Sequence, residues 1–279
     1  MKTLTSKIDK TVNFIVNHRD GKLESRYVKR RKDDFTCYLS SHNGCNKGCK
    51  FCWLTQTKQI TFHPATLLDI VNQAKPVLEH ASKDETNKQV NFSFMSRGEP
   101  LSNPNIQQYW PEISNALYLE ARKYGFIPTF NISTIMPKDA NMSLREVFSV
   151  NCPTIYYSLY SIDPEFKREW MPGAMWEFRA LRLLQDYQEF SQKIIKIHGA
   201  LIEGQNDDLS EWIEIMNYID AIGLRIKVQF VRYNPKDESK ESNVFDFIEK
   251  LRYNTSQPVS VVDRVGQDVY GSCGMFDYE

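Results

Sequence analysis

This 279-residue sequence lacks an excess of either charge: 35 Lys and Arg stand against 35 Asp and Glu. No global field therefore announces a nucleic-acid or membrane partner. It also lacks any apolar run approaching the ~18 residues of a membrane span. Its polar start, Met1-Lys2-Thr3-Leu4-Thr5-Ser6-Lys7, contains no secretory apolar stretch. Cysteine is sparse. The six residues at 37, 45, 49, 52, 152 and 273 are too few and too unevenly placed for a secreted disulfide scaffold. These absences predict a cytoplasmic protein without a membrane partner. The length suits one large α/β domain or two small ones.

What is present is concentrated in Cys45-Asn46-Lys47-Gly48-Cys49-Lys50-Phe51-Cys52. Three cysteines at C-x₃-C-x₂-C spacing leave one iron of a [4Fe–4S] cluster without a protein ligand, because four thiolates would be needed to fill it. A structural zinc site normally closes its sphere with four ligands. On spacing alone, a zinc knuckle completed by His42 or His63, or plain buried cysteines, stay open beside the cluster.

Around this turn the chain alternates strand and helix. Val12–Val16 and Leu23–Val28 flank an Asn17–Gly21 turn and predict a hairpin. Strands are expected at 35–41, 89–95, 127–133, 154–160, 194–201 and 225–232, with one more at 259–264. Helices are expected at 65–80 with a kink at Pro76, at about 111–124, and at 143–149, 175–191, 208–221 and 243–253. Six βα units with right-handed crossovers are too few for a closed eight-fold barrel. The expected fold is α/β, an open (β/α)₆ partial TIM barrel with a short N-terminal β extension. The boundaries expected are 1–34 for that extension, 35–255 for the barrel, and 256–279 for a C-terminal strand and cysteine-bearing loop.

Chemistry in such folds gathers at the carboxyl ends of the strands. The second barrel strand ends Arg97-Gly98-Glu99-Pro100, a turn that allows close backbone approach and offers a carboxylate to an ammonium group. Ser133 and Thr134 end the third strand, and Ser158 and Tyr160 the fourth; their hydroxyls suit either ligand contacts or ordinary capping. Asn234, before Pro235, either reads a ligand or starts a turn. Between Arg19 and Lys32 lie seven basic residues and two acidic ones, a run that is either a solvated face or a phosphate-contacting arm.

The cysteine spacing, with the aromatic Phe51 before the third cysteine, resembles the radical S-adenosylmethionine (SAM) superfamily. More narrowly, residues 20–279 resemble the RlmN/Cfr radical SAM RNA methyltransferases. The resemblance is carried by Ser40-Ser41 before Gly44-Cys45, Met95–Asn103, Ser133-Thr134, Ser158-Leu159, Ile202–Asp207, Tyr233-Asn234-Pro235 and the tail Gly266–Gly274. It implies a radical SAM fold, a [4Fe–4S] cluster on Cys45, Cys49 and Cys52, and SAM held by Gly98, Glu99, Ser133, Ser158, Tyr160 and Asn234. It also implies methylation of an adenine, at C2 or C8, in an RNA such as rRNA or tRNA, with a one-electron donor such as flavodoxin or ferredoxin. Cys273 matches the family's methyl carrier, with Gly271 and Gly274 letting its loop swing. Cys37 matches the cysteine that forms a disulfide with the carrier, and Glu24 the proposed proton acceptor.

The departures are specific. One residue more separates Cys37 from the Ser-Ser pair than in the family, and a one-residue offset turns a strand side chain to the opposite face. Tyr160 replaces a family histidine. Only about twenty residues precede the matching region, where family members carry a helical accessory domain, so a smaller RNA or a partner protein is a further expectation. A radical SAM enzyme acting on a small molecule or protein, and a non-catalytic metal-bound RNA-binding module, remain the alternatives.

Overall fold

The structure, a computed structural model, describes residues 1–140 and 142–278. Strict alternation builds the barrel. In Phe35-Thr36-Cys37-Tyr38-Leu39 the odd positions are fully buried against helices, while Thr36 and Tyr38 line the interior. The same alternation places Val90, Phe92 and Phe94 outside and Asn91 and Ser93 inside.

In chain order the elements are β1 (Lys2–Thr5), β2 (Val12–His18), β3 (Gly21–Val28), β4 (Asp34–Tyr38), α1 (Trp53–Gln56), α2 (Leu67–Ala81) and β5 (Gln89–Phe94). They continue with α3 (Pro104–Lys123), β6 (Ile127–Thr134), α4 (Leu144–Val147), β7 (Thr154–Ser158), α5 (Pro164–Trp170) and α6 (Glu177–Ser191). The last are β8 (Ile195–Gly199), α7 (Leu209–Ala221), β9 (Ile226–Val231), α8 (Val244–Arg252) and β10 (Val259–Val262). One sheet holds all ten strands in sequence order. The first four pair antiparallel, and β4 to β10 run parallel. No pairing among the described residues joins β1 to β10, so the barrel is open. The helices cover its outer face: Ile70 and Val77 of α2, Trp110 of α3 and Trp212 of α7 belong to one apolar cluster with the outward strand residues.

The expected six-unit barrel is therefore present, and β10 adds a seventh parallel strand. Four details differ. β1 is too short and polar to show an apolar pattern. α5 spans only seven residues, too few for periodicity to show, although Asp163 caps it and Pro164 opens it. α3 starts at Pro104 because Asn103 accepts hydrogen bonds from the amides of Asn105 and Ile106; the non-helical Tyr109 then accommodates Pro111. α2 runs unbroken through Pro76, which removes only the amide partner of the exposed Asn72 carbonyl.

After β10 the chain turns back across the opening and is anchored on the β1–β3 ribbon. Asn13 Nδ2 donates to the Val269 carbonyl at 3.1 Å, and Arg26 Nη2 donates to that of Met275 at 2.8 Å. The buried Asp277 carboxylate pairs with Lys2 at 2.8 Å and Lys22 at 2.6 Å.

Candidate active site at the carboxyl ends of the strands

The loop after β4 carries Cys45 and Cys49, and Cys52 stands at the N-terminus of α1. All three thiols line one cavity of about 120 Å³. Gly98, Glu99, Ser133, Ser158, Tyr160, Asn234 and Cys273 line the same cavity, so ten of the twelve residues singled out from the sequence converge there. The strand ends bring them together from segments more than 200 residues apart, as a parallel barrel does.

Neither histidine needed for a zinc knuckle faces these thiols. His42 stacks on Phe62 with ring centroids 3.8 Å apart, and His63 lies 3.2 Å from Asp20. Among the described residues no three His, Cys, Asp or Glu side chains converge closely enough for a single metal ion. Thiolates that each hold a different iron of a larger cluster need no such convergence. Burial pushes the Cys45 thiol up to about 12 and the Cys52 thiol up to about 11, and raises Cys49 as well. Three desolvated thiols at one wall form thiolates readily only against a compensating metal charge. The donor set fits a [4Fe–4S] cluster held by three protein sulfurs.

Glu99 is buried, and both carboxylate oxygens are engaged: the amide of Leu101 donates to one and that of Ile135 to the other, each at 3.0 Å. Burial raises its carboxyl to about 7, against the hydrogen bonds from Thr134, Ile135 and Leu101 and the Lys47 charge. Gly98 has φ +91°, and a Cβ there would stand 2.6 Å from His42 Nδ1, so the turn requires glycine. Tyr160 stacks on Phe51, the aromatic beside the third cysteine, with centroids 4.1 Å apart.

The tail places Cys273 opposite this wall. Asn234 Nδ2 donates to the Cys273 carbonyl at 3.0 Å, while its Oδ1 accepts from Arg264 at 2.9 Å. The Trp53 amide donates to the Gly274 carbonyl at 3.0 Å. Asn234 thus fastens the cysteine-bearing loop as well as lining the cavity. Gly271 is a close-packing point, since a Cβ would lie 2.8 Å from Thr11 Cγ2. The Cys273 side chain opens onto cavity space but is ringed by protein; desolvation raises its thiol, and Arg26 and Arg30 pull it back.

Below this cavity the barrel interior forms a second one, of about 960 Å³, reaching Asp34, Pro128 and Thr154 at the amino ends of the strands. The two cavities share Met95, His198, Val231, Cys273 and Gly274. Cys273 therefore stands at their junction.

Two expected residues are not brought to the site. Cys37 sits at the outward register of β4, opposite Tyr27 of β3 and Phe92 of β5, wholly within the apolar core. The extra residue before Ser40 is not absorbed by a bulge, so Tyr38 faces the interior instead. None of the six cysteines is disulfide-bonded, and Cys37 faces the apolar core while Cys273 lines the cavities on the other face of the sheet. Glu24 is fully buried between Arg97 at 2.6 Å and Arg26 at 2.8 Å and lines neither cavity. Burial alone would raise its carboxyl, but the two guanidiniums hold it below the usual range. It accepts from the Asp277 amide at 3.1 Å and acts as an anchor for the tail.

The basic run divides. Lys22, Arg26 and Lys29 are taken up by Asp277, Glu24 and Asp84. Arg26, Lys29, Arg30 and Arg31 all line the large cavity, and of these Arg30 has no carboxylate partner among the described residues. Sequence reasoning missed His198, Tyr38, Tyr156 and Lys196, all on its wall. Their signal was the polar set alternating with apolar residues along β4, β7 and β8.

The sequence profile of the Radical SAM superfamily matches residues 39–219, well over half of the chain. The chain belongs to the radical SAM superfamily. Members use a [4Fe–4S] cluster and SAM, which agrees with the donor set and the adjoining cavity. Among similar proteins is the dual-specificity RNA methyltransferase RlmN of Bdellovibrio bacteriovorus, 24% identical over 273 residues covering 96% of this chain. The chain spans 65% of that relative's length. The dual-specificity RNA methyltransferase RlmN of Sulfurovum sp. is also 24% identical, covering 92% of this chain and 69% of the relative. In fold, this radical SAM protein matches a radical SAM methyltransferase from Sphaerobacter thermophilus, with a TM-score of 0.82 and 18% identity over 100% of this chain and 81% of that one.

Proposed function

We propose that this radical SAM protein methylates an adenine carbon, C2 or C8, in RNA, with Cys273 carrying the methyl group. The observation behind this is the position of Cys273, between the cavity that holds the cluster thiols and the polar barrel interior. The similarity to dual-specificity RNA methyltransferases supports RNA as the substrate, and adenine as the base rests on the family resemblance of the sequence motifs.

When bound, the cluster and SAM supply a methyl group by polar displacement and a 5′-deoxyadenosyl radical by one-electron cleavage, the electron coming from a donor such as flavodoxin or ferredoxin. The protein's part is positioning. Glu99 would accept hydrogen bonds from the SAM ammonium, and Gly98 would let the backbone approach it. Ser133 and Ser158 offer hydroxyls, and Tyr160 stacked on Phe51 excludes water. Cys273 would present its sulfur to the methyl group of SAM, with S-adenosylhomocysteine as the leaving group and Arg26 and Arg30 favouring the thiolate. The hydrogen atom taken from the S-methyl group would leave as 5′-deoxyadenosine, and Cys273 would hold the methylene carbon that bonds to the ring. The detour through sulfur suits adenine, whose C2 and C8 are too weakly nucleophilic to attack a sulfonium directly. Release of the methylated base would require cleavage of the sulfur–carbon bond and loss of the ring proton, with a thiol other than the core-facing Cys37 closing a disulfide on Cys273.

The test is peptide mass spectrometry of protein reconstituted anaerobically and supplied with SAM, alongside nucleoside mass spectrometry of RNA from cells with and without the gene. S-methylation at Cys273 and a methyladenine that depends on the protein are expected. Methylated RNA with Cys273 never modified retires the carrier; modified Cys273 without any methylated nucleoside retires RNA.

A further inference from the structure

A closed TIM barrel fills its interior with packed apolar side chains. This one keeps a cavity of about 960 Å³ lined by polar and apolar groups in nearly equal measure, within the size range of small-molecule sites. Its wall carries seven Lys and Arg against three Asp. Four of those cations are paired: Arg26 with Glu24, Lys29 with Asp84, Arg31 with Asp34 and Arg264 with Glu241. Arg30, Lys193 and Lys196 have no carboxylate partner among the described residues.

Two of these three are fixed by aromatic rings instead. Lys196 Nζ donates to the Tyr156 hydroxyl at 2.6 Å and lies 4.6 Å from that ring's centroid. Arg30 Nη1 donates to the Tyr38 hydroxyl at 3.2 Å. Tyr38 and Tyr156 lie within electrostatic reach of each other and of Arg30, and Arg30 within reach of Cys273. His198, 6.2 Å from the Tyr156 ring between centroids, lines both cavities as Cys273 does; its Nε2 is 3.5 Å from Ser133 Oγ and its buried Nδ1 has no partner among the described residues. A cavity that combines uncompensated cations, two phenol rings and an unpaired imidazole nitrogen matches a ligand with a phosphate at one end and a heteroaromatic ring at the other.

We propose that the Lys196–Tyr156 and Arg30–Tyr38 pairs form a phosphate-binding station inside the barrel that takes a single nucleotide unit and points its base past His198 toward Cys273. The station rests on the adenine reading above and specifies how one unit is gripped. A nucleotide turned out of a strand and a free nucleotide share this chemistry.

Equilibrium dialysis of the full chain at low salt, with adenosine and adenosine 5′-monophosphate as probes, tests it. The monophosphate should bind about tenfold or more tightly, as a charge-assisted contact implies. Lys196→Ala and Arg30→Ala should each erase most of that preference, and Lys196→Arg should restore it, which separates lost charge from lost folding. Equal binding of the two probes, or a preference untouched by both alanine variants, overturns the station. A five-adenosine single strand whose binding also depends on Lys196 supports it with a strand phosphate. Monophosphate binding with no strand binding supports the station and overturns RNA as the substrate. Methylated Cys273 with no phosphate preference overturns the station and leaves the methyl-carrier reading intact.

Discussion

His198 shows how much one buried group can reveal. Burial, with Lys196 nearby, lowers its imidazole to about 4, so it is neutral wherever the protein is folded at ordinary pH. The unfolded chain takes up that proton near 6.5, so it binds more protons than the native state between about pH 4 and 6.5. Stability therefore falls as pH drops through that window. This one group contributes a loss of about 2 kcal/mol between pH 8 and pH 5. Urea denaturation of wild type and His198→Gln at both pH values checks it; equal pH slopes in the two proteins would show that the imidazole titrates normally. Cys37 teaches the complementary lesson. Its burial raises the thiol well above the usual range and removes it from redox chemistry at the cavity.

At the level of elements, the C-terminal tail stands out. It has little regular structure, yet it crosses the open side of the barrel and carries Cys273 to the junction of the two cavities. Its anchor is the buried Arg26–Glu24–Arg97 group, from which Arg97 also donates to the Asp277 carbonyl at 2.6 Å. Removing the acid from such a buried group strands the guanidiniums, at a cost of about 3 kcal/mol or more. Glu24→Gln is expected to lower the urea midpoint accordingly and to speed hydrogen exchange of amides in 268–278. A variant with wild-type stability and slow tail exchange would return Glu24 to the role of proton acceptor that the sequence suggested. β4 sets its register in the same physical way: Phe35, Cys37 and Leu39 each gain burial, and reversing the strand would put Thr36 and Tyr38 in the core.

For the whole molecule, the cluster site joins segments far apart in the chain. The cysteine loop bonds to α5 through the Lys50 amide and the Trp170 carbonyl at 2.9 Å, and to the tail through Trp53 and Gly274. Anaerobic reconstitution is expected to load about four iron and four sulfide per chain. Because only the folded state offers the three thiols together, loading should also raise Tm, and chelation should reverse the rise. Cys49→Ala should lose both iron and the Tm gain. A full iron complement in that variant would move the site elsewhere.

The sequence by itself determined which chemistry was available. Cysteine spacing, the Gly98-Glu99-Pro100 turn and the six βα units are local patterns, and local patterns fix residue types at fixed distances along the chain. The tertiary structure alone decided which of those residues meet. Cys37 faces outward into the core under the helices because its neighbours' burial outweighs any one thiol, although the alternation in 35–39 already carried that signal. The polar interior drew Tyr38, Tyr156, Lys196 and His198 from three separate strands, and no window of sequence brings them together. Placing Cys273 between two cavities depended on ion pairs joining residues more than 170 positions apart, and such pairs form only when long-range packing has closed the chain on itself.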